Sequence, residues 1–303
     1  MTADHYAVPL IHVETEPEVV VDLPSKTGEG PLWDVCNQVL YWLDIPPGRL
    51  YRFDPATMVN DLIHEHDAAI GGATLQDDGA LLLFCSYGKI LWLDPATGHT
   101  DTIVDRIEAE ADSRFNDVEA DPEGGVFCGT MPTEIEPARL YRLGRDGSLQ
   151  LLFDDIGLSN GIGFSPDETR MYHSDTNTRR LYAFDYDRST GSIANREILI
   201  SDPPGEGYPD GMTVDSDGNL WIARWDGKAI YRHAPDGTCT GRVRFPVRKV
   251  SSIAFGGARL ADAYVTTAAP DGRDQAEGMF AGSLFRVMLP ATGKPPYRSR
   301  VGL

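Results

Sequence analysis

The chain has little from which to build a long helix, a membrane span or a disulfide framework. Glycine and proline occur 31 and 21 times among its 303 residues, too often to leave any extended segment of helical period. No apolar run approaches the roughly 20 residues a membrane-spanning helix needs. The opening MTADHYAVPLIHVETEPE lacks the basic segment and apolar core of a signal peptide, so a cytoplasmic location is expected. Cys36, Cys85, Cys128 and Cys239 form no C-x-x-C pair and sit in or beside strand-like runs; reduced thiols are expected rather than disulfides or zinc ligands. Positive charge is scarce as well. Lys and Arg number 27 against 46 Asp and Glu, for a formal net charge of -19, which excludes the basic surface that nucleic acid requires. The same negative field would concentrate cations at an oxygen-ligand metal site.

What is present is a repeat. Glu29, Asn116, Asn160 and Asp210 each precede a short apolar run, a tight Gly/Asp/Pro-type turn and a second apolar run. Gly71 and Ser251 begin two further copies without a carboxylate or amide at that place. The six turns fall near Val35-Cys36, Asp77-Asp78, Pro122-Glu123, Pro166-Asp167, Ser216-Asp217 and Gly256-Gly257, a spacing of roughly 40 to 50 residues. A second turn series interleaves at Asp54-Pro-Ala-Thr, Asp94-Pro-Ala-Thr-Gly, Arg145-Asp-Gly, Arg188-Ser-Thr-Gly, Pro235-Asp-Gly and Pro290-Ala-Thr-Gly, each after a run such as LYRFD or LFRVM. Two hairpin turns per unit mean four strands per unit, the content of one propeller blade. The expected fold is all-β, a six-bladed propeller of four-stranded antiparallel blades around a central channel, occupying residues 1–303 as one domain. A sandwich rarely repeats at this period, and an α/β sheet needs amphipathic helices that are missing.

Several motifs invite other readings. Gly157-Leu-Ser159-Asn-Gly161 matches the G-x-S-x-G of a nucleophile elbow, but that elbow needs a strand turning into a helix, and here IGFSPDETRMYHSD continues as strand and hairpin. His64-Glu-His66 has metal-like spacing with no third His or Cys nearby, so a solvated strand or loop is expected. His173 and Asp175 are expected to be structural, since no partner nucleophile is evident. Cys85 in LLLFCS and Cys128 in GGVFCG share nearly one repeat position and are expected to face the channel as small residues.

A single Asn or Asp before a strand usually shapes a turn. Four at one phase are different, because equivalent positions on the innermost strands of a propeller all point to the axis. Glu29, Asn116, Asn160 and Asp210 should therefore converge, and such oxygens in a narrow channel are costly without a counter-ion. One divalent metal ion satisfies them. The hard oxygen set suits Ca, Mg or Mn and could accept Zn or Fe(II). So few protein ligands leave positions for water and substrate. At Gly71 and the Ser251-Ser252 pair the channel is expected to be open.

In order and spacing, Gly28-Glu-Gly-Pro-Leu-Trp33, Arg114-Phe-Asn-Asp117, Gly129-Thr-Met131, Ser159-Asn-Gly161, Phe184-Asp-Tyr-Asp187, Pro209-Asp-Gly-Met212 and Phe255-Gly-Gly257 resemble the SMP-30/gluconolactonase/luciferin-regenerating enzyme family of six-bladed propeller hydrolases. The resemblance covers nearly the whole chain. It implies that Glu29, Asn160 and Asp210 are metal ligands, that Arg114 and Asn116 bind substrate oxygens, and that Glu134 is an acidic residue of the pocket rim. One departure stands out: Asn116-Asp117 is followed by Val-Glu-Ala-Asp121, where relatives often carry Gly-Lys-x-Asp.

The resemblance further implies a lactonase opening an aldonolactone, such as a glucono-, xylono- or arabinonolactone, to the aldonic acid, with the metal polarising the carbonyl and activating water. Asp210 or Asp117 would serve as general base. The expected partner is a small-molecule sugar lactone, with neither nucleic acid nor membrane, for a monomer or small homo-oligomer. The alternatives are a calcium-dependent phosphotriesterase or arylesterase on the same fold, or a non-catalytic binding propeller.

Overall fold

Asp-led turns organise the hairpins. Asp54, Asp94 and Asp187 each accept, through Oδ1, the backbone N–H two residues on, from Ala56, Ala96 and Ser189 at 2.8 Å. Each turn thereby closes locally before any strand pairing is required. The structure, a computed structural model, describes residues 8–13 and 16–303. Residues 1–7 and 14–15, part of the stretch read for a signal peptide, lie outside the described residues.

The strands form six antiparallel sheets of four. Blade 1 comprises Gly28–Asp34, Val39–Asp44, Arg49–Asp54 and Val59–Glu65; blade 2, Ile70–Leu75, Leu81–Cys85, Ile90–Leu93 and Thr100–Val104. Blade 3 comprises Phe115–Ala120, Val126–Thr130, Ala138–Leu143 and Leu149–Ile156; blade 4, Ser159–Phe164, Arg170–Asp175, Arg180–Asp187 and Ser192–Ser201. Blade 5 comprises Tyr208–Val214, Leu220–Trp225, Ala229–His233 and Cys239–Arg244. The first strands of successive blades contact one another in a closed cycle, so the ring is a six-bladed propeller and these strands line its axis.

All six turns of the first series fall between the first two strands of a blade. The second series departs at its last member. After Val250–Gly256, Asp262–Thr267 and Leu284–Met288, blade 6 takes its outermost strand from Glu18–Val21, which pairs antiparallel with Leu284–Met288. Pro290-Ala-Thr-Gly therefore starts no hairpin. The chain instead crosses the end of the ring opposite the strand starts, where it touches blade after blade. Ser216 N–H donates to the Thr292 carbonyl (2.8 Å), Lys294 Nζ donates to the Phe164 carbonyl (2.8 Å) and Arg298 pairs with Asp34 (2.9 Å). Ser299 Oγ donates to the Leu75 carbonyl (3.1 Å), and Arg300 N–H to that of Gly124 (2.8 Å).

The core is divided into six clusters, one per blade interface. Trp33, Trp42 and Phe53 of blade 1 meet Tyr264 of blade 6, and Phe127 of blade 3 meets Phe164 and Phe184 of blade 4. Burying each such side chain contributes about 1.5–3 kcal/mol. Cys85 and Cys128 belong to two of these clusters, between blades 1 and 2 and between blades 2 and 3, rather than to the channel. They lie on second strands, and burial pushes the Cys85 thiol up to about 12. The four cysteines are free. Among the described residues, no helix is long and apolar enough to cross a membrane.

Candidate active site

The side chains that matter start at irregularities in the sheet. In every blade the pairing of the first two strands slips near the axis: between Glu29 and Leu32, Ile70 and Gly72, Phe115 and Val118, Ser159 and Ile162, Pro209 and Met212, and Val250 and Ser252. A slip of this kind re-aims the local side chain. Glycine follows the repeat position in four blades, and in three of them the neighbouring blade approaches closely there. A Cβ on Gly161 would lie 2.7 Å from the Asp210 carbonyl, and one on Gly72 would lie 2.9 Å from that of Asn116. Gly30 instead holds φ +53, a left-handed conformation that glycine adopts freely. In blade 3 this glycine position is taken by Asp117.

At the two gaps the repeat position itself is packed against its neighbours. A Cβ on Gly71 would lie 1.8 Å from the Phe115 carbonyl. Ser251 is fully buried, donating to the Gly28 carbonyl at 2.6 Å and sharing a hydrogen bond with Thr266 Oγ1 at 3.0 Å. Open space borders both gaps, as expected, in a cavity of about 110 Å³ lined by Gly71, Gly72 and Ser252 as well as Gly30 and Asp117, and reaching Glu119 and Lys294. That is room for several waters. Burial and the nearby Asp117 push Glu119 up to about 8 against the pull of Lys294.

Glu29, Asn116, Asn160 and Asp210 are buried. Asn116 Nδ2 donates to Asn160 Oδ1 and to the Ser159 carbonyl, both at 2.8 Å. Arg114 Nη1 donates to Asn116 Oδ1 at 2.7 Å and to the Phe115 carbonyl at 2.8 Å. Asn160 Nδ2 reaches Thr176 Oγ1 at 2.8 Å, and that hydroxyl donates to the Pro209 carbonyl at 2.7 Å. The carboxylates sense one another. Burial, then Asp210 and Asp117, raise the Glu29 carboxyl well above its ordinary range, and burial, then Asp117, do the same to Asp210. Burial pushes Asp117 up to about 7 despite Arg114. Arg114 is pushed down to about 10 by burial, against the attraction of Glu29, Asp117 and Asp210.

Three acids thus share one dry region with one guanidinium, a surplus of two negative charges if all ionise. A divalent cation has the charge to offset it. Among the described residues, no three His, Cys, Asp or Glu side chains gather as a metal cluster by themselves; a donor set here would include an amide oxygen. Glu29, Asp210 and the Asn160 oxygen supply such a hard, oxygen-only set. The residues present fit a divalent ion.

Glu134 is exposed on the loop after Val126–Thr130, in a groove with Glu108, Asp112 and Glu136. Ser159 is fully buried against Gly129, with its Oγ 2.7 Å from His173 Nε2. Burial pushes His173 down to about 4. Both lie inside a sheet, so no nucleophile elbow forms. Asp175 accepts from the Gly157 and Leu158 N–H groups at 3.0 and 3.1 Å, a structural role. His64 and His66 lie at the outer edge of blade 1 and gather no third ligand. The sequence did not reveal Thr176, Glu119 or Lys294. Thr176 stands where blade 2 has Ser86, whose hydroxyl turns to the Ala69 carbonyl instead, and Lys294 enters from the terminal segment.

Comparison with known proteins bears on this geometry. A pentonolactonase of Haloferax volcanii is 44% identical over 291 residues, covering 94% of this chain and 98% of its own. A 6-deoxy-6-sulfogluconolactonase of Pseudomonas putida is 34% identical, covering 91% and 96%. The crystal structure of a calcium-binding protein, regucalcin, from Agrobacterium tumefaciens superposes with a TM-score of 0.88 at 25% identity, covering 97% of this chain and 99% of that one. The family model described as the SMP-30/Gluconolactonase/LRE-like region matches residues 27–269, and the chain belongs to that family.

Proposed function

We propose that the protein hydrolyses a sugar lactone to its aldonic acid, in a site where Glu29, Asn160 and Asp210 hold one divalent cation. The observation that carries this reading is the surplus of buried carboxylate at the axis beside an Arg114–Asn116 pair suited to sugar oxygens. The names of the relatives, a pentonolactonase and a sulfogluconolactonase, support a five- or six-carbon lactone. The regucalcin likeness supports calcium among the candidate ions.

When bound, the cation supplies Lewis acidity toward the lactone carbonyl and charge to balance the acids. The rest falls to side chains. Arg114 spends Nη1 on Phe115 and Asn116, leaving Nε and Nη2 to donate to substrate oxygens. Asp117, with its proton affinity near 7, is suited to take a proton from the attacking water at neutral pH. As the acyl C–O bond of the ring breaks, that proton returns to the departing ring oxygen. Among the acids, Asp117 is the base of choice, because Asp210 is committed to the cation. Glu134, on the exposed loop, would meet hydroxyls at the rim, where epimers are told apart.

The test is to strip divalent ions with a chelator and add Ca, Mg, Mn, Zn and Fe(II) back one at a time. Pentono- and hexonolactones and one phosphotriester are then assayed in parallel. Ion-dependent lactone hydrolysis that disappears in Asp210→Ala is expected. Turnover indifferent to ions would refute the proposal, preference for the phosphotriester would favour the esterase alternative, and tight ion binding without turnover would favour a binding protein.

A further inference from the structure

Groups from three adjacent blades form one hydrogen-bonded chain through the site, and its direction is set at both ends. Arg114 can only donate, and Nη1 does so to Asn116 Oδ1 at 2.7 Å. The amide of Asn116 must then turn its Nδ2 to Asn160 Oδ1 and the Ser159 carbonyl, both at 2.8 Å. At the other end the Pro209 carbonyl can only accept, and it takes the single proton of the Thr176 hydroxyl at 2.7 Å. Towards Asn160 that hydroxyl can therefore only accept, which it does from Nδ2 at 2.8 Å. A flipped Asn160 amide would set its NH2 against that of Asn116 and take the Thr176 proton away from Pro209. Only one orientation satisfies every group, and Thr176 is buried at 9% exposure, where water is a poor substitute.

We propose that Thr176 is a positioning residue for the cation site: its hydroxyl, together with the Asn116 amide, fixes which end of the Asn160 amide is offered as a ligand. Through the Pro209 carbonyl it also ties the backbone just before Asp210 to Asn160. Neither role is visible from the repeat, since Thr176 lies in the turn after the second strand of blade 4, where Arg179 N–H closes onto the Thr176 carbonyl at 3.1 Å. The inference rests on the proposed ligand roles of Asn160 and Asp210.

Thr176→Val keeps the shape and removes the hydroxyl; Thr176→Ser keeps the hydroxyl. Calcium and manganese affinities of chelator-treated protein are measured by isothermal titration calorimetry, with the thermal midpoint of the ion-free protein recorded alongside. Loss of such outer-shell support weakens metal binding by about 10- to 100-fold. Thr176→Val is expected to lose affinity in that range and Thr176→Ser to stay within about threefold of the unsubstituted protein, in line with the hydroxyl they lose or retain. Should Thr176→Val fold poorly, Thr176→Ala with the same titration serves, and the same loss is expected. A valine or alanine variant that folds and binds both ions as tightly as the unsubstituted protein overturns the role of Thr176. An unsubstituted protein that shows no saturable binding, or binding unchanged in Asp210→Ala, overturns the ligand assignment beneath it and this inference with it.

Discussion

Asp117→Asn should make the ion-free protein more stable and nearly inactive at once. In the folded chain the Asp117 carboxyl holds its proton to about pH 7, against an ordinary value of 3.8, with burial as the main cause. Between those limits the folded state carries more protons than the unfolded one, so stability falls as pH rises through the window and the loss is complete above about 7. At about 1.4 kcal/mol per pH unit, the displacement corresponds to about 4 kcal/mol. Asparagine ionises in neither state and escapes this penalty. With unfolding entropy near 2.1 cal/mol/K per residue, about 4 kcal/mol over this chain is a rise of about 6 °C in Tm. The asparagine must still find acceptors for its NH2, so the figure is an upper bound. The assay is thermal or urea unfolding in chelator at pH 4, 5, 6, 7 and 8. The gap between the variant and the unsubstituted protein should open from almost nothing at pH 4 to its full size by pH 7 to 8. Lactone turnover should fall by about 10²- to 10⁴-fold, the contribution of a general base. An Asp117→Asn protein that is no more stable at pH 8 without ions, or whose advantage does not grow with pH, would refute the argument that burial penalises the ionised Asp117.

Three further outcomes follow from other parts of the ring. Ser159→Ala should retain lactone turnover within a few fold, because its hydroxyl is buried on His173; a loss of three orders of magnitude would revive the nucleophile. Ending the chain after residue 293 removes Arg298, Ser299 and Val301 from the turns of blades 1 and 2. Counting the buried Val301 side chain and five hydrogen bonds or ion pairs, from Lys294, Arg298, Ser299, Arg300 and Val301, that should lower stability by about 4–10 kcal/mol, measured by urea unfolding. Glu134→Ala should raise KM for sugar lactones with little change in kcat, and should leave Tm within about 1 °C, since the residue is exposed. A lowered kcat at unchanged KM would place Glu134 in the chemistry instead.

The blades were legible because their turns are encoded locally. Asp54, Asp94 and Asp187 close their loops with their own carboxylates, so the sequence pattern and the structure agree at those points. Convergence of Glu29, Asn116, Asn160 and Asp210 was legible for a related reason: in a ring, equal phase along the chain becomes proximity at the axis. What failed was whatever depends on how blades meet. Pro290-Ala-Thr-Gly looks like the other hairpin turns, yet blade 6 is completed by Glu18–Val21, a pairing across the whole chain that no local signal marks. Cys85 and Cys128 stand two residues apart in register on second strands, on a face that meets the neighbouring blade rather than the axis. Thr176 was invisible because its bond to the Pro209 carbonyl crosses from blade 4 to blade 5, which no local signal marks.

The account turns on one cation at Glu29, Asn160 and Asp210. A manganese-soaked crystal, measured at wavelengths on either side of the metal's absorption edge, locates such an ion by its anomalous scattering. One strong peak on the axis, about 2.0–2.6 Å from oxygens of all three residues, is the predicted result. A peak elsewhere, or no peak on the axis at an ion concentration that supports turnover, would contradict it.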